Sequence, residues 1–350
     1  MITDLRLQDF RSYSDASFEF DRGVNIVVGP NASGKTNLLE ALLVLARGSS
    51  YRARDPELVR FKRPWARLDS HDDSGGRRSV KIILEPEPGK TYEVNGKEYR
   101  RLPLQQALPA ALFEPEHLRL LSGGPERRRD YLDDLLEQTD PGYAAVRRKY
   151  RRALAQRNRL LKQRGSREQI FPWDVRLSEL AGQVVRARAA LSGRLDVDLG
   201  KLYRKLSGTR AKVAVEYRGR WQPQGYESSL LKELEGSLGP DRERGFTGAG
   251  PHREDLAVTF DGRSVQETAS RGEVRTAVLA LKIIELKIIE DLRGVPPILL
   301  LDDVFSELDG KRRHALTDHL APYQTFITTT DADAVVGHFT ETANVIPLTR

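Results

Sequence analysis

Cysteine is absent from all 350 residues, which excludes a disulfide framework and any metal site built on thiolates. The six histidines are scattered, and none falls at a spacing that suggests a metal cluster. Long apolar runs are missing too. The longest, near Ala41–Ala46 and Ile298–Leu301, fall far short of the ~20 residues that a bilayer-crossing helix needs. The opening Met1-Ile2-Thr3-Asp4 lacks a basic stretch ahead of an apolar core, so no signal peptide is expected. These absences together give the expectation of a cytoplasmic chain with no membrane partner.

What is present is a folding-competent composition, 39% hydrophobic with a mean hydropathy of -0.51, long enough for about two domains. The net charge is +7 and the sequence pI about 9.5. Such an excess favours a polyanionic partner through counterion release, although a merely basic protein has the same composition. Where the charge sits must decide.

Along the chain, Leu5, Leu7, Phe10, Phe18 and Phe20 fit a β meander, and Val24–Val28 reads as a buried strand. Val80–Leu84 and Tyr92–Tyr99 read as a hairpin, with Asn95-Gly96 as a type I′ turn signal. From about Pro125 to Leu206 the pattern is helical, with apolar stripes at Tyr131–Leu136, Tyr143–Leu154 and Leu177–Leu195. Strand patterns return at Ala211–Tyr217 and Leu256–Phe260, a helix is expected over 273–292, and strands over Ile298–Leu301 and Thr325–Thr328. The fold class expected is α/β, a nucleotide-binding lobe of residues 1–115 plus 247–350 interrupted by a mostly helical lobe of residues 116–246.

The first of these strands runs straight into Gly29-Pro30-Asn31-Ala32-Ser33-Gly34-Lys35-Thr36, and a helix follows. Strand, glycine-rich loop and helix are the context of a phosphate-binding loop. Its glycines let successive N–H groups point at phosphate oxygens, and the helix adds its positive end. Lys35 can reach the β- and γ-phosphates of ATP, and the Thr36 hydroxyl can ligand Mg²⁺. A carboxylate-tipped strand completes such a site, and Ile298–Leu301 followed by Asp302-Asp303 supplies one. Asp302 would hold Mg²⁺, and Asp303 would orient the attacking water. Alone, that pair also reads as a strand ending in helix-capping aspartates. Ser270-Arg271-Gly272-Glu273 reads as an N-cap with its glutamate at N3, and equally as a helix terminus able to capture a phosphate.

The order of these motifs resembles the ABC-type ATPases. Ser270 and Gly272 stand where that class has its signature, which binds the γ-phosphate of a nucleotide held by another subunit, and Ser306-Glu307-Leu308-Asp309 is similar to its D-loop. Within the class, several blocks resemble the RecF family, relatives of the structural-maintenance-of-chromosomes proteins. They are Leu5-x-Leu7-x-x-Phe10-Arg11-Ser12-Tyr13, Phe113–Leu118, Gly123–Asp133, Gln156-Arg157-Asn158 and Gly250–Leu256. That resemblance implies an ATPase head in an ATP-dependent homodimer, with Arg11 and Asn37 as further nucleotide contacts and Glu116 as the residue of the lobe-connecting loop. It also implies binding of duplex DNA or its junction with single strands. RecA loading at gaps and stalled forks, with RecR and RecO, follows from the same likeness.

Two departures are visible. Asp303 replaces the usual glutamate, and Thr330 stands near the place of the switch histidine, so slow hydrolysis is expected. Between Arg147 and Arg164 nine cations occur with no acidic residue. Either this is a solvated helix face or, as the resemblance favours, a DNA contact through Arg148, Lys149, Arg152, Arg159 and Lys162. The rival from another class, an ATPase subunit of a membrane transporter, lacks the transporter signature and the switch histidine. A nuclease of the overcoming-lysogenization type would need a second acidic metal cluster, which the sequence lacks.

Overall fold

The computed structural model describes residues 1–331, 335, 337 and 343–348. The chain divides into two compact units: Met1–His117 with Leu286–Arg350, and Leu118–Glu285. The second boundary departs from expectation, because residues 247–285 belong to the second unit and not to the nucleotide-binding lobe. The cause is strand pairing. Asp255–Phe260 lies antiparallel to Val213–Arg218 over all six residues, which fastens this stretch to the middle of the chain. That unit is accordingly not purely helical.

The first unit holds two sheets. One is wholly parallel, with β3 (Val24–Val28), β8 (Ala110–Phe113), β12 (Ile298–Asp302), β13 (Thr325–Thr329) and β14 (Asn344–Pro347) in the order β14-β3-β13-β12-β8. β8, β12 and β13 are buried at every residue, as parallel strands covered on both faces must be. The other is an antiparallel meander of β1 (Asp4–Phe10), β2 (Tyr13–Glu19), β4 (Trp65–His71), β5 (Arg77–Ile83), β6 (Gly89–Val94) and β7 (Lys97–Tyr99). Asn95 and Gly96, both at positive φ, make the turn between β6 and β7. Helix α1 (Lys35–Arg47) buries Leu38, Leu39 and the run Ala41–Ala46 in one core with residues from both sheets. Short helices α2 (Asp55–Leu58), α10 (Val304–Glu307) and α11 (Gly310–Thr317) complete the unit.

The second unit is built on α3 (Pro125–Thr139), α4 (Tyr143–Lys162) and the 41-residue α5 (Arg167–Ser207). A three-stranded sheet, in the order β11 (Arg263–Ser264), β10 (Asp255–Phe260), β9 (Val213–Arg218), packs with them. Helices α6 (Tyr226–Gly236), α7 (Leu238–Arg244) and α8 (Val265–Thr268) follow. At the outer edge of β9 the N–H groups of Val215 and Tyr217 donate to Asp196 Oδ1 (2.8 Å) and Ser192 Oγ (3.2 Å) of α5. The last long helix, α9 (Arg271–Arg293), begins in this unit, and the division falls within it.

Three of the blocks that carry the family resemblance, Gly123–Asp133, Gln156-Arg157-Asn158 and Gly250–Leu256, contribute to the buried polar frame of this unit. Arg128 is forked onto Asp255 at 2.8 and 2.7 Å, and Arg188 onto Asp133 at 2.9 and 3.0 Å. Arg157 is fully buried and donates to Asp174 (2.5 Å), Asp241 (2.8 Å), Thr247 Oγ1 (2.9 Å) and the Leu234 carbonyl (3.3 Å). Glu254 accepts from the hydroxyls of Tyr217 and Tyr226, each at 2.7 Å. Each of these charges is paired or, for Glu254, hydrogen-bonded to neutral donors, which is the condition for burying it.

His252 belongs to the same frame. Its Nε2–H donates to the Thr247 carbonyl (3.1 Å) and its Nδ1 accepts from Tyr150 OH (2.6 Å), a neutral imidazole. Burial lowers its pKa from 6.5 to about 4. The unfolded chain therefore binds this proton first, and stability is lost as pH falls from about 6.5 towards 4, by at most ~3 kcal/mol from this group. Urea midpoints across that range should fall less steeply in His252→Gln than in wild type. Parallel pH profiles would assign the loss elsewhere.

Candidate functional site

The site is assembled at the C-terminal ends of the parallel strands, where β3 gives way to the loop 29–34 and β12 to Asp302 and Asp303. Two glycines are sterically required. A Cβ on Gly29 would stand 2.7 Å from both the Leu348 carbonyl and Ser33 Oγ. Gly34 has φ 104°, and a Cβ there would strike Tyr13 OH at 2.8 Å. Ala32 also lies at positive φ, so the loop curls through the left-handed region twice. Lys35 turns back over this ring, its Nζ donating to the carbonyls of Gly29 (2.6 Å) and Pro30 (2.9 Å). Asn31 is exposed on the loop, and Ser33 Oγ is buried with no hydrogen-bond partner among the described residues.

Sequence-distant groups meet at Asp302. Its Oδ1 accepts from Thr36 Oγ1 (3.1 Å) and Thr328 Oγ1 (2.7 Å), and Thr328 Oγ1 in turn accepts from the Asp303 N–H (2.9 Å). Register explains Thr328: β12 and β13 run parallel with Asp302 opposite it. Asp303 adopts φ 52° at the start of α10, and burial pushes its carboxyl above the usual range, with Asp302 adding to the effect. It is thus both a capping-position aspartate and a carboxylate beside the site.

The loop, the hydroxyl–carboxylate pair and the orphaned Ser33 hydroxyl together fit a nucleotide phosphate with a divalent cation. The free N–H groups at the start of α1 suit the anion. Thr36 Oγ1 and Asp302 form the hard oxygen pair that Mg²⁺ prefers.

Other expected contacts sit differently. Arg11 directs Nε and one terminal nitrogen to Glu40 (2.8 and 2.9 Å) and the other terminal nitrogen to the Glu57 carbonyl (2.9 Å). Its donor edge is therefore committed to protein. Asn37 joins Ser12 Oγ (3.0 Å) to Arg52 (2.9 Å). Glu116 is exposed on the short 3₁₀ turn Pro115–Arg119. Ser270 caps α9 reciprocally: its hydroxyl accepts from the Glu273 N–H (3.3 Å) and Glu273 accepts from the Ser270 N–H (2.8 Å). Ser270 and Gly272 lie in the second unit, not in the lobe expected. Thr330 is exposed just after β13.

Sequence reasoning missed the hub of this region. Glu40 is fully buried on α1 and accepts from Arg11, from Arg52 (3.0 Å) and from Ser50 (2.5 Å). Burial raises its pKa, but those hydrogen bonds outweigh it and hold the carboxyl below its ordinary range. A carboxylate inside the apolar run Leu38–Ala46 was the available signal. Also missed was a cavity of about 510 Å³ beside Asn37, walled by Arg11, Ser12, Pro56, Glu57 and the exposed ring of Phe61.

On α4 the cations separate by helical phase. Arg148, Arg152, Arg159 and Lys162 form one exposed stripe, with Lys149 beside it, and none makes an ion pair among the described residues. Arg147 instead pairs with Glu137 (2.8 Å) and Asp130 (3.2 Å), and Arg157 faces the interior.

Parallel sheet, phosphate loop and Thr36–Asp302 junction define an ABC-type P-loop ATPase head. The RecF/RecN/SMC N terminal domain model matches residues 1–346. The DNA replication and repair protein RecF of Synechococcus sp. (strain JA-3-3Ab) is 36% identical over 342 residues, covering 93% of this chain and 90% of that protein. The solved recombination mediator protein RecF-ATPrS in the RecFOR pathway superposes with a TM-score of 0.88 at 30% identity, covering 96% of this chain and 94% of its own. A solved SmcHead bound to the C-winged helix domain of ScpA shares the fold alone, with a TM-score of 0.58 at 16% identity, covering 100% and 94% of the two chains. The chain belongs to the RecF family.

Proposed function

We propose that the protein is an ATP-gated DNA-binding clamp of recombinational repair. Two copies would enclose two ATP molecules, each held by the phosphate loop of one copy and by Ser270 and Gly272 of the other. The observation that carries the reading is the Thr36–Asp302–Thr328 junction beside a phosphate loop whose Ser33 hydroxyl is buried without a partner among the described residues. Gly29–Thr36 wrap the phosphates and Lys35 leaves its loop carbonyls for the γ-phosphate. Asn37 and the cavity beside it take the nucleoside end. Thr36 and Asp302 hold Mg²⁺, which supplies charge neutralisation at the phosphate oxygens when bound. Asp303, next to that pair, accepts the proton of the attacking water. Arg11 acts through Glu40, as a brace for the turn before β2.

DNA binding is supported by the exposed stripe of α4. Successive cations over about 14 residues span roughly 21 Å of helix, enough to follow a run of phosphates. The relatives, a DNA replication and repair protein RecF and a recombination mediator of the RecFOR pathway, support a partnership with RecR and RecO. RecA loading at gaps and stalled forks and a cytoplasmic location belong to the same proposal. Slow turnover is supported by Thr330 in place of a switch histidine.

Ser270→Arg tests the shared site. It should leave ATP binding by the single chain intact while abolishing ATP-induced dimers in light scattering. Loss of ATP binding itself would show that the start of α9 serves its own chain.

A further inference from the structure

We infer that Phe246 is a stacking platform for an unpaired nucleobase at one end of the α4 stripe, which lets the protein tell a duplex–single-strand junction from plain duplex. The inference rests on the proposed DNA contact of α4 and adds a subsite to it.

Phe246 is 39% exposed, yet its loop is tightly held. Gly245 closes α7 at φ 72°. Next to Phe246, the Thr247 N–H and hydroxyl both donate to Asn158 Oδ1 (2.8 and 2.7 Å), and the same hydroxyl accepts from the buried Arg157 (2.9 Å). The Gly248 N–H donates to Asp241 (3.1 Å). A ring presented to water on a fixed backbone loses little entropy when a ligand packs on it.

Its surroundings select that ligand. Two exposed guanidiniums lie over the ring, Arg253 at 4.8 Å and Arg244 at 5.7 Å from its centroid; Arg244 is held by Asp241 (2.8 Å), so a stacking base takes the place of Arg253. Arg253 makes no ion pair among the described residues. The last cation of the stripe lies against the residue before the ring: a Cβ on Gly245 would stand 3.3 Å from Lys162 Cγ. Asn158, which anchors the loop, also borders a cavity of about 520 Å³ with Ala155, Arg159, Lys162 and Gln163. Of the nearby carboxylates, Asp241 and Glu254 are buried and bonded, leaving Glu243 exposed. An aromatic face framed by arginines, with cations along one side, is the arrangement that stacks a base while its phosphates are held. A paired base inside a duplex offers no free face, so the platform serves the first unstacked nucleotide beyond the duplex.

The test uses the full chain with ATP and Mg²⁺, and compares a blunt duplex with the same duplex carrying a single-stranded overhang. 2-Aminopurine at the first unpaired position reports stacking. Phe246→Ala should lower the ratio of junction to duplex affinity by roughly tenfold and abolish the 2-aminopurine quenching, while Phe246→Trp retains both. Equal losses on both DNAs, or an unaltered ratio, would overturn the platform. Arg152→Glu separates the two ideas. If it weakens both DNAs while Phe246→Ala leaves the ratio intact, stacking alone is refuted. If it weakens neither, the α4 contact fails and the platform with it.

Discussion

Lys35→Ala should reduce ATP affinity at least roughly thirtyfold and, with it, remove every ATP-dependent change in DNA binding. The ammonium is largely buried within its own loop, on the carbonyls of Gly29 and Pro30, and is the one cation that the loop directs inward. Losing a buried charge partner of a bound phosphate costs about 2 kcal/mol or more, hence the thirtyfold figure. The alanine leaves the backbone ring intact, because Gly29 and Gly34 set its path. Thermal stability should therefore barely move. Titration calorimetry with ATP gives the first number, and gel shifts of duplex DNA with and without ATP give the second. DNA binding that ignores ATP in wild type and is untouched by Lys35→Ala would sink the gating mechanism while leaving the nucleotide site in place.

Arg157→Ala should be the most destabilising single change in the second unit, by about 3–5 kcal/mol. The substitution strips donors from Asp174, Asp241, Thr247 and the Leu234 carbonyl at one stroke. Asp174 and Asp241 are buried and would be left with negative charge facing the gap. Denaturant melts followed by circular dichroism give the loss directly. Arg159→Ala, two residues on and so on nearly the opposite, exposed face of the helix, provides the contrast: its melt should match wild type within about 0.5 kcal/mol. Equal melts for the two variants would mean that the interior network is not what holds α4, α5 and α7 together.

That contrast shows where sequence was informative. A run of nine cations reads as one solvated face, but spacing within it already separates the roles. Arg157 sits four residues from Ala153 and from Leu161, both buried, so it occupies the apolar stripe of its helix. The phosphate loop and the acid-tipped strand were legible because their chemistry is local: a few consecutive residues fix the loop, and one strand presents Asp302. Thr328 was not, since only the parallel register of β12 and β13 sets it opposite Asp302. Glu40 was equally hidden, because its partners Arg11, Ser50 and Arg52 come from segments that meet only in the fold. The boundary near residue 247 failed for the same reason. Nothing local in 255–260 says that its partner strand is 213–218 and not a strand of the first unit.

The edge of the small sheet has a consequence for how the molecule meets others. A bare outer strand is an invitation to any extended chain, and such invitations end in polymers as easily as in complexes. With two of its outward donors spent on Asp196 and Ser192, β9 has little left to offer a stranger's backbone. A partner on this side is met through side chains and not through a shared strand.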